Sequence, residues 1–409
     1  MNSYPGRVGG ACLIALVALA AAPAVPRVDA RQEGAVLIHA ARLIDGRGKT
    51  TTNATIEVRG TKIVAIDQRR GPYTYDLGDV TVLPGMIDVH VHLNWYFGPS
   101  GKYGDRGPAG YLDQAVADNA RATLMAGFTT VQSLGWTGDK QLKEQIASGK
   151  IVGPRILSSL GQIQPRAGQT ADELRARVRQ LKADGADAIK LFASGSIRDG
   201  GKMNVTPEQV DAVCGEAKAQ GLRSLVHAHD PQSIITSVKA GCFEIEHGAY
   251  ADDAAIKAMK DANVFFDPNI GLVLQNYIEN KEKYMGSGNF NEEGFAFMEK
   301  AVPTLPPVFA RAMKAGVRMP MGTDAVAGAH GQNAREIFVR VKDGGQPPMD
   351  GITSATSLAA ESLGLDGVIG TLQAGYEADI IAVKGDPLKD ITALKNVTFV
   401  MRAGTVYRK

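Results

Sequence analysis

The chain has few cysteines, no excess of charge of either sign, and no long apolar run after its first thirty residues. It contains 3 cysteines in 409 residues, and its formal net charge is +2. Lysine and arginine are scattered rather than gathered into a stripe, which argues against a dedicated nucleic-acid role. No segment after residue 30 is long and apolar enough to span a bilayer, which takes ~20 residues.

The cysteines are too few for a disulfide framework. Cys12 lies in the leader described below, which leaves Cys214 and Cys242 for the rest of the chain. Neither has a second cysteine or a histidine at ligand spacing, so metal binding by either thiol is disfavoured. We therefore predict that both are buried free thiols.

The first thirty residues have the pattern of a secretory signal peptide. Arg7 gives a short positive start, residues 11–22 are apolar, and V-D-A at 28–30 resembles a cleavage site. We predict a signal peptide at 1–30 and an exported protein, periplasmic or secreted, that does not associate with a membrane after signal removal. An uncleaved membrane anchor is the alternative.

Short β segments lie at both ends of the remaining chain, and strands alternate with helices between them. Residues 35–84 and the region from 378 onward have the pattern of strands separated by turns. We predict one small composite β-sandwich domain over 31–84 plus 371–409. Over 85–370 we predict an α/β fold, a (β/α)8 (TIM) barrel.

The barrel prediction depends on eight candidate strands that alternate with helical patterns. One ends at His92, and the others are at 128–134, 155–160, 188–193, 224–229, 243–247, 264–268 and 318–322. Eight strand–helix units are what a (β/α)8 barrel needs. A doubly wound open sheet is the alternative, but no G-x-G-x-x-G sequence follows an early strand to favour it.

All but one of the histidines lie at or after the ends of these candidate strands. They are His90, His92, His227, His229, His247 and His330. Side chains at i and i+2 of a strand point to the same face, so the H-x-H pairs converge. Imidazole is the commonest metal ligand, and (β/α)8 enzymes carry their catalytic groups at this end of the strands. The pattern therefore predicts a metal site there.

Two charged residues accompany the histidines. Asp324 follows the eighth candidate strand, where an isolated aspartate would be a helix cap or turn residue. Facing four imidazoles, it becomes a metal ligand or a general base. Lys190 interrupts an apolar strand, and a buried ammonium must be paired with a carboxylate, neutralised or modified. Reaction with carbon dioxide would give a carbamate able to bridge two metal ions.

These residues lie in motifs that resemble the metal-dependent amidohydrolase superfamily over essentially the whole chain after the leader. The motifs are P-G-M-I-D-V-H-V-H at 84–92, A-G-F-T-T-V at 126–131, G-A-D-A-I-K at 185–190, V-H-A-H at 226–229, I-E-H-G at 245–248 and G-T-D-A at 322–325. Residues 370–381 are similar to the family's return into its small β-sandwich. The branch that the chain most resembles is imidazolonepropionase-like and prolidase-like, and it includes Xaa-Pro dipeptidase-related amide hydrolases.

The resemblance implies a binuclear centre of two divalent metal ions, Zn²⁺ or alternatively Co²⁺ or Mn²⁺. The implied ligands are His90, His92 and Asp324 for one ion, His227 and His247 for the other, and Lys190, carboxylated by CO2, as the bridge. A homo-oligomer is also implied.

The resemblance further implies a mechanism. A hydroxide shared by the two ions would attack the carbonyl of a small-molecule amide or dipeptide, with Asp324 as the general acid and base. His229 and His330 are then candidates for contact with the substrate.

Three other functions are alternatives. The same centre would cleave esters, lactones or carbamates, because the hydroxide attacks any activated carbonyl. A mononuclear deaminase typically carries a glutamate where this chain has Asp230, and it leaves Lys190 without a role. A non-enzymatic relative is disfavoured because all the ligand positions are filled.

Specificity is expected in the loops. The segments 94–110 and 270–303 are long and rich in aromatic residues, which either pack over the barrel mouth or form a wall around a substrate side chain. Arg198 and Lys202, after the strand of Lys190, are candidates for binding a substrate carboxylate, although loop cations are often merely solvated.

Overall fold

The structure is a computed structural model that describes residues 34–409. The signal peptide predicted at 1–30 lies outside the described residues. In the part of the chain that is described, no helix has the length and apolar character needed to cross a bilayer.

The described chain alternates strands and helices through most of its length. The strands are β1 (Ala35–Ile44), β2 (Thr50–Arg59), β3 (Lys62–Asp67), β4 (Tyr75–Asp76), β5 (Val80–Pro84), β6 (Met86–Val91), β7 (Phe128–Ser133), β8 (Arg155–Ser158), β9 (Gln162–Ile163), β10 (Ala188–Phe192), β11 (Arg223–Ala228), β12 (Glu244–His247), β13 (Phe265–Asp267), β14 (Ile380–Lys384), β15 (Val397–Arg402) and β16 (Thr405–Arg408). The α-helices are α1 (Tyr111–Met125), α2 (Asp139–Ala147), α3 (Ala171–Asp184), α4 (Pro207–Ala219), α5 (Pro231–Lys239), α6 (Asp253–Asp261), α7 (Val273–Glu279), α8 (Lys281–Tyr284), α9 (Glu292–Ala301), α10 (Leu305–Ala315), α11 (Ala334–Lys342), α12 (Pro348–Ser354) and α13 (Ser357–Ser362). Short 3-10 helices cover Ile197–Asp199, Val302–Thr304 and Ile391–Lys395.

Strands from both ends of the described chain share one eight-stranded sheet. Its order is β16-β15-β14-β5-β1-β2-β3, with β4 beside β1. β5 joins the two ends, because it pairs with β1 on one edge and antiparallel with β14 on the other. One cluster of buried apolar side chains, which includes Val36 of β1 and Val406 of β16, packs against this sheet.

The middle of the chain forms two parallel sheets. One has the order β13-β12-β11-β10-β9, and the other has the order β6-β7-β8. The sheets also touch through their backbones, since the N–H of Asp187 donates to the carbonyl of Ser158 (2.7 Å). This arrangement confirms the α/β class, with parallel strands connected by helices.

The eighth predicted strand, at 318–322, is not a continuous strand. Its place is taken by a segment with isolated parallel bridges to β13 at Arg318 and to β6 at Ala325. Pro320 has no N–H to donate, and the N–H of Met321 donates to α12 rather than to a neighbouring strand (2.9 Å). The segment therefore lies beside β6 and β13 without a regular ladder.

Local sequence signals set the ends of the helices that follow the strands. α3 and α4 each begin with a capping box, formed by Thr170 with Glu173 and by Thr206 with Gln209. α3 ends at Gly185, whose φ of 99° is a left-handed conformation that glycine adopts without steric cost. These caps fix the residue at which each helix begins or ends, and therefore the length of the loop that joins it to the neighbouring strand.

Cys214 in α4 and Cys242 just before β12 form a disulfide, with their Cα atoms 5.0 Å apart. The prediction of two free thiols is therefore wrong, although both residues are buried. The two lie 28 positions apart in sequence, so no local pattern marks them as a pair. They meet because α4 packs beside α5, and the turn after α5 returns next to α4.

We expect that replacing both cysteines (Cys214→Ala with Cys242→Ala) lowers the free energy of unfolding by roughly 3–4 kcal/mol, because the bond closes a loop of moderate length in the unfolded chain. Urea unfolding of the double variant and of the wild type measures the difference. The reduced wild type should resemble the double variant. Equal stability of the oxidised wild type and the double variant would contradict a stabilising bond.

Candidate metal centre

A cavity of about 540 Å³ lies at the C-terminal ends of the parallel strands. Its volume is in the range usual for small-molecule sites. The predicted site residues that line it are His90, His92, Lys190, His227, His229, His247 and Asp324. The structure therefore brings together every predicted site residue except His330.

The geometry of the strands explains why these side chains meet in one cavity. β6 carries His90 and ends one residue before His92, and β11 carries His227 in the same relation to His229. His247 ends β12 with a φ of 69°, and Asp324 has a φ of 52°. Such left-handed backbone is uncommon outside glycine and costs energy, and it clusters at functional sites.

His90, His92 and Asp324 form a first group whose ligand atoms lie within 4.8 Å of one another. Nε2 of His92 is 2.9 Å from Oδ1 of Asp324, and Nε2 of His90 is 3.4 Å from the same oxygen. The other ring nitrogens have partners, because Nδ1 of His92 is 2.8 Å from the carbonyl of Leu134 and Nδ1 of His90 is 3.3 Å from Asp267. Both Nε2 atoms therefore face Oδ1 of Asp324, and one metal ion can bind between these three atoms.

His227, His229 and His247 form a second group. The ring centroids of His227 and His247 are 4.6 Å apart, and those of His229 and His247 are 5.0 Å apart. Nε2 of His227 lies 3.2 Å from the carbonyl of Gly195, so Nδ1 is the ring nitrogen of His227 that would bind a metal ion. The two groups are adjacent, because the ring centroids of His90 and His247 are 5.3 Å apart.

The buried imidazoles are neutral. Burial lowers the pKa of His90 to about 4 and that of His229 to about 3, and it holds the pKa of His227 and of His247 well below the ordinary value. Burial also raises the pKa of Asp324, but the neighbouring imidazoles more than offset this, so the net direction is downward. The cavity floor therefore offers nitrogen lone pairs and one carboxylate.

Lys190 is fully buried and pairs with Glu246 of β12. Its Nζ also lies 3.4 Å from Nε2 of His90. Three states were open to this lysine from the sequence: paired with a carboxylate, neutralised, or modified. The structure shows the first of them. Glu246 itself was missed, although it stands directly before His247. It belongs to a second set of possible metal ligands, with His90 and His247.

The donor set fits divalent cations. Two buried polar atoms have no hydrogen-bond partner among the described residues: Nδ1 of His229, which lines the cavity, and Oε1 of Glu246, the partner of Lys190. Unsatisfied buried polar atoms are costly, and a bound ion or its water satisfies them. Imidazole and carboxylate ligands suit zinc, cobalt and manganese.

Two buried aspartates hold the first group in place, and sequence analysis missed both. Asp88 in β6 accepts from Oγ1 of Thr323 (2.6 Å) and from Nδ2 of Asn333 (2.7 Å), which fixes the backbone beside Asp324. Asp267 at the end of β13 faces His90. The available signal for Asp88 was its spacing, two residues before His90 on the same face of a strand.

His330 lies next to the cavity but outside its lining. Among the described residues, those that line the cavity do not include it. Its ring lies beside the backbone of His92 and Trp95, and burial lowers its pKa to about 4. The prediction that it contacts the substrate gains no support from this position.

The aromatic loops take both of the expected roles. Trp95 and Tyr277 line the cavity. Tyr103, Tyr284 and Phe290 instead pack on one another behind it, with ring centroids 4.7 to 5.8 Å apart. The long loops therefore form one packed wall with two rings at the cavity.

Comparison with known proteins gives the family. Residues 81–407 match the Amidohydrolase family. The chain belongs to the amidohydrolase family. This confirms the resemblance found in the sequence, and with it a hydrolytic enzyme that acts on C–N bonds. The non-enzymatic interpretation is thereby set aside.

Similar proteins come from the branch that the motifs indicated. The ochratoxinase of Aspergillus niger is 29% identical over 91% of this chain and 86% of its own. A crystal structure of a Xaa-Pro dipeptidase with bound methionine is similar with a TM-score of 0.82 and 30% identity, covering 92% of this chain and 100% of that one. The imidazolonepropionase of Sphingopyxis alaskensis is 24% identical over 75% of this amidohydrolase and 79% of its own length.

Proposed function

We propose that this amidohydrolase is a binuclear metal-dependent enzyme that cleaves amide bonds of the peptide or N-acyl amino acid type. The observation that carries the proposal is the cluster of four predicted imidazole ligands, Asp324 and Lys190 on one cavity floor. The similarity to an ochratoxinase and to a Xaa-Pro dipeptidase supports an amide as the bond that is cleaved.

In this proposal two divalent ions, Zn²⁺ or alternatively Co²⁺ or Mn²⁺, bind at the two histidine groups. The residues that would hold them are His90, His92 and Asp324 for the first, His227 and His247 for the second, and a carboxylated Lys190 between them. Ions bound there would lower the pKa of a water molecule and polarise the substrate carbonyl.

The protein side chains then handle the proton and the substrate. The carboxylate of Asp324 takes the proton of the attacking water and passes it to the leaving nitrogen. His229 lines the cavity with its Nδ1 unpaired, so it is positioned to hydrogen-bond the substrate. Trp95 and Tyr277 line the cavity and give it an aromatic wall against which a substrate side chain can pack.

A deaminase is a weaker candidate. The residue that would replace the deaminase glutamate, Asp230, caps α5 by accepting from the N–H of Ser233 (3.0 Å). Among the described residues, those lining the cavity do not include Asp230. Hydrolysis of esters, lactones or carbamates stays an alternative, because the same centre serves any activated carbonyl.

A hydrolysis screen tests the function. N-acyl amino acids, ochratoxin, and Xaa-Pro, Xaa-Arg and Xaa-Phe dipeptides are offered to the enzyme, with lactones, esters and carbamates as controls. Amides should be the best substrates by kcat/KM. A lactone or carbamate hydrolysed faster than every amide would overturn the proposal in favour of the alternative.

We expect that chelation removes activity in step with the metal, and that Zn²⁺, Co²⁺ or Mn²⁺ restores it. Elemental analysis of the same samples should approach two ions per chain at full activity. Full activity with one ion per chain would favour a mononuclear enzyme, and activity that survives complete metal removal would contradict a metal mechanism.

We further propose that the two parallel sheets and the segment around Arg318 to Ala325 close into one (β/α)8 barrel over 85–370. The isolated bridges of this segment to β13 and β6 support closure on one side. The hydrogen bond from Asp187 to Ser158 supports it on the other. The terminal sheet and its own apolar cluster would then belong to the small β-sandwich domain, which we propose over 31–84 plus 371–409.

We also propose that the protein is exported and forms a homo-oligomer. The disulfide between Cys214 and Cys242 supports export, because such bonds persist in the periplasm and outside the cell and are rare in the cytosol. The homo-oligomer is proposed on the family resemblance alone.

A further inference from the structure

We propose that Arg198 anchors a carboxylate of the substrate, so that this enzyme prefers amides that carry a free carboxylate. The inference rests on the proposed amide hydrolysis and adds the residue that selects among amides. Arg198 lies in the loop after β10, in the 3-10 helix Ile197–Asp199, and its side chain lines the cavity.

Two aromatic rings and a hydrogen bond from Nε hold the guanidinium of Arg198 in place. Its central carbon lies 4.1 Å from the ring centroid of Phe290 and 5.4 Å from that of Tyr277. Its Nε donates to Oδ1 of Asn289 (2.7 Å). A guanidinium that stacks on aromatic rings and is fixed through Nε directs its two terminal nitrogens to other partners. Here one partner is the hydroxyl of Tyr277, and the second partner expected for such a group is a carboxylate.

That partner is missing within residues 34–409. The other charged groups of the cavity floor are paired, Lys190 with Glu246 and Asp324 with the imidazoles of His90 and His92. Arg198, by contrast, has no carboxylate within ion-pair distance among the described residues. The nearby carboxylate of Asp199 accepts from Nδ2 of Asn289 instead (2.8 Å).

A partly buried guanidinium without a counter-ion favours an anionic ligand. Two terminal N–H groups in a fixed plane match a carboxylate in a bidentate hydrogen bond. Tyr277 stands beside the same guanidinium, and burial keeps its hydroxyl neutral by raising its pKa, so it adds a neutral donor at this end of the cavity. The arrangement therefore favours a substrate carboxylate beside Arg198, in the cavity that the candidate metal ligands also line.

The test compares a charged and an uncharged version of one substrate. N-acetyl-L-phenylalanine and its carboxamide carry the same scissile acetyl amide, and acetate release measures cleavage of both. For Arg198→Gln we expect kcat/KM on the carboxylate substrate to fall by roughly 10- to 100-fold, the usual size for a charged hydrogen bond, while the carboxamide changes little. Arg198→Lys keeps the charge but loses the bidentate geometry, and it should lie between.

The matched control is Lys202→Gln. Lys202 is an exposed cation in the same loop, and its side chain is not among the described residues that line the cavity. The control removes the same charge and should leave both substrates as in the wild type. Metal content and thermal unfolding of every variant show whether the fold and the centre are intact.

The outcomes distinguish a residue that binds the substrate carboxylate from one that only links two loops. A selective loss on the carboxylate substrate supports the proposal, whereas an equal loss on both substrates, or no loss, overturns it and makes Arg198 a structural link between loops. If the wild type hydrolyses neither compound, the proposed function is what fails for these amides. Binding of N-acetyl-L-phenylalanine by calorimetry then decides, because weaker binding by Arg198→Gln alone supports the anchor and unchanged binding overturns it.

Discussion

Asp324→Asn should lower kcat by about ten-thousand-fold, close to what removal of an essential acid–base group costs in other hydrolases. The amide cannot take the proton of the attacking water, and it replaces an anionic ligand by a neutral one. Asparagine is chosen because it tolerates left-handed backbone, and Asp324 has a φ of 52°. Kinetics on the best amide from the screen, together with metal analysis, measure the effect.

The matched control for this variant is Asp350→Asn. Asp350 is an exposed residue in the first turn of α12 and is not among the described residues that line the cavity, so its variant should retain wild-type kcat. Metal content separates the two roles of Asp324. Loss of turnover with both ions retained identifies proton transfer, and loss of one ion identifies ligation. Turnover comparable to the wild type in Asp324→Asn would refute both roles.

If Lys190 is the proposed bridge between two metal ions, Lys190→Ala should lower activity to a similar extent, roughly a thousand-fold or more. Small carboxylic acids such as acetate should restore part of the activity by entering the space left by the side chain. In the wild type, isotope-labelled bicarbonate should give an NMR signal of a carbamate. Full activity of the alanine variant would contradict a bridging role for Lys190. Absence of the carbamate signal would mean that Lys190 acts only as the ion-pair partner of Glu246.

The same variant has a stability consequence. In the metal-free, uncarboxylated protein Lys190 and Glu246 form a buried ion pair, and removing one partner of such a pair costs about 3–5 kcal/mol of stability. Adding Glu246→Gln should recover most of that loss without recovering activity. If Lys190 is carboxylated as proposed, Nζ would keep one N–H to donate to Glu246, and the loss of stability would be closer to that of a single hydrogen bond.

The control for the lysine experiment is Lys257→Ala. Lys257 pairs with Asp261 four residues on, in an exposed ion pair of α6, and such pairs contribute roughly 0.3–0.5 kcal/mol. Its removal should therefore change neither activity nor the unfolding midpoint appreciably. An effect as large as that of Lys190→Ala would mean that the assay reports general destabilisation.

The fold class and most of the site were predictable because strands impose a simple rule on their side chains. In an H-x-H pair the second histidine must share a face with the first, and this holds for His90 with His92 and for His227 with His229 in the cavity. The position of Asp324 followed from the same logic, since it comes after the segment beside β6. These are local patterns, and local patterns can be seen in one sequence.

What sequence analysis missed depends on packing between distant segments. The disulfide joins two cysteines that meet only because α4 and α5 lie side by side. Glu246 gave no signal as the partner of Lys190, because strand neighbours must be known before a cross-strand pair can be assigned. The segment 318–322 was predicted as a strand from its position in the alternation, but its proline breaks the ladder.

In the loops, too, the residue types were visible in the sequence, and packing between distant segments decided their roles. Their aromatic content predicted packing or a substrate wall, and the structure divides the rings between the two roles. Arg198 and Lys202 were indistinguishable as loop cations in sequence. Only the wall formed by Phe290 and Asn289 turns one of them toward the cavity and leaves the other exposed.

The terminal sheet has a consequence for biosynthesis. β5 pairs with β1 soon after both leave the ribosome, but its other edge waits for β14, which is made only after the whole catalytic region. At ~5–20 residues per second this interval lasts roughly tens of seconds, and an open strand edge is a template for pairing with other chains. A chain that stops before residue 380 keeps that edge open permanently. Late truncations should therefore appear first as insoluble protein, even though every proposed metal ligand has already been synthesised.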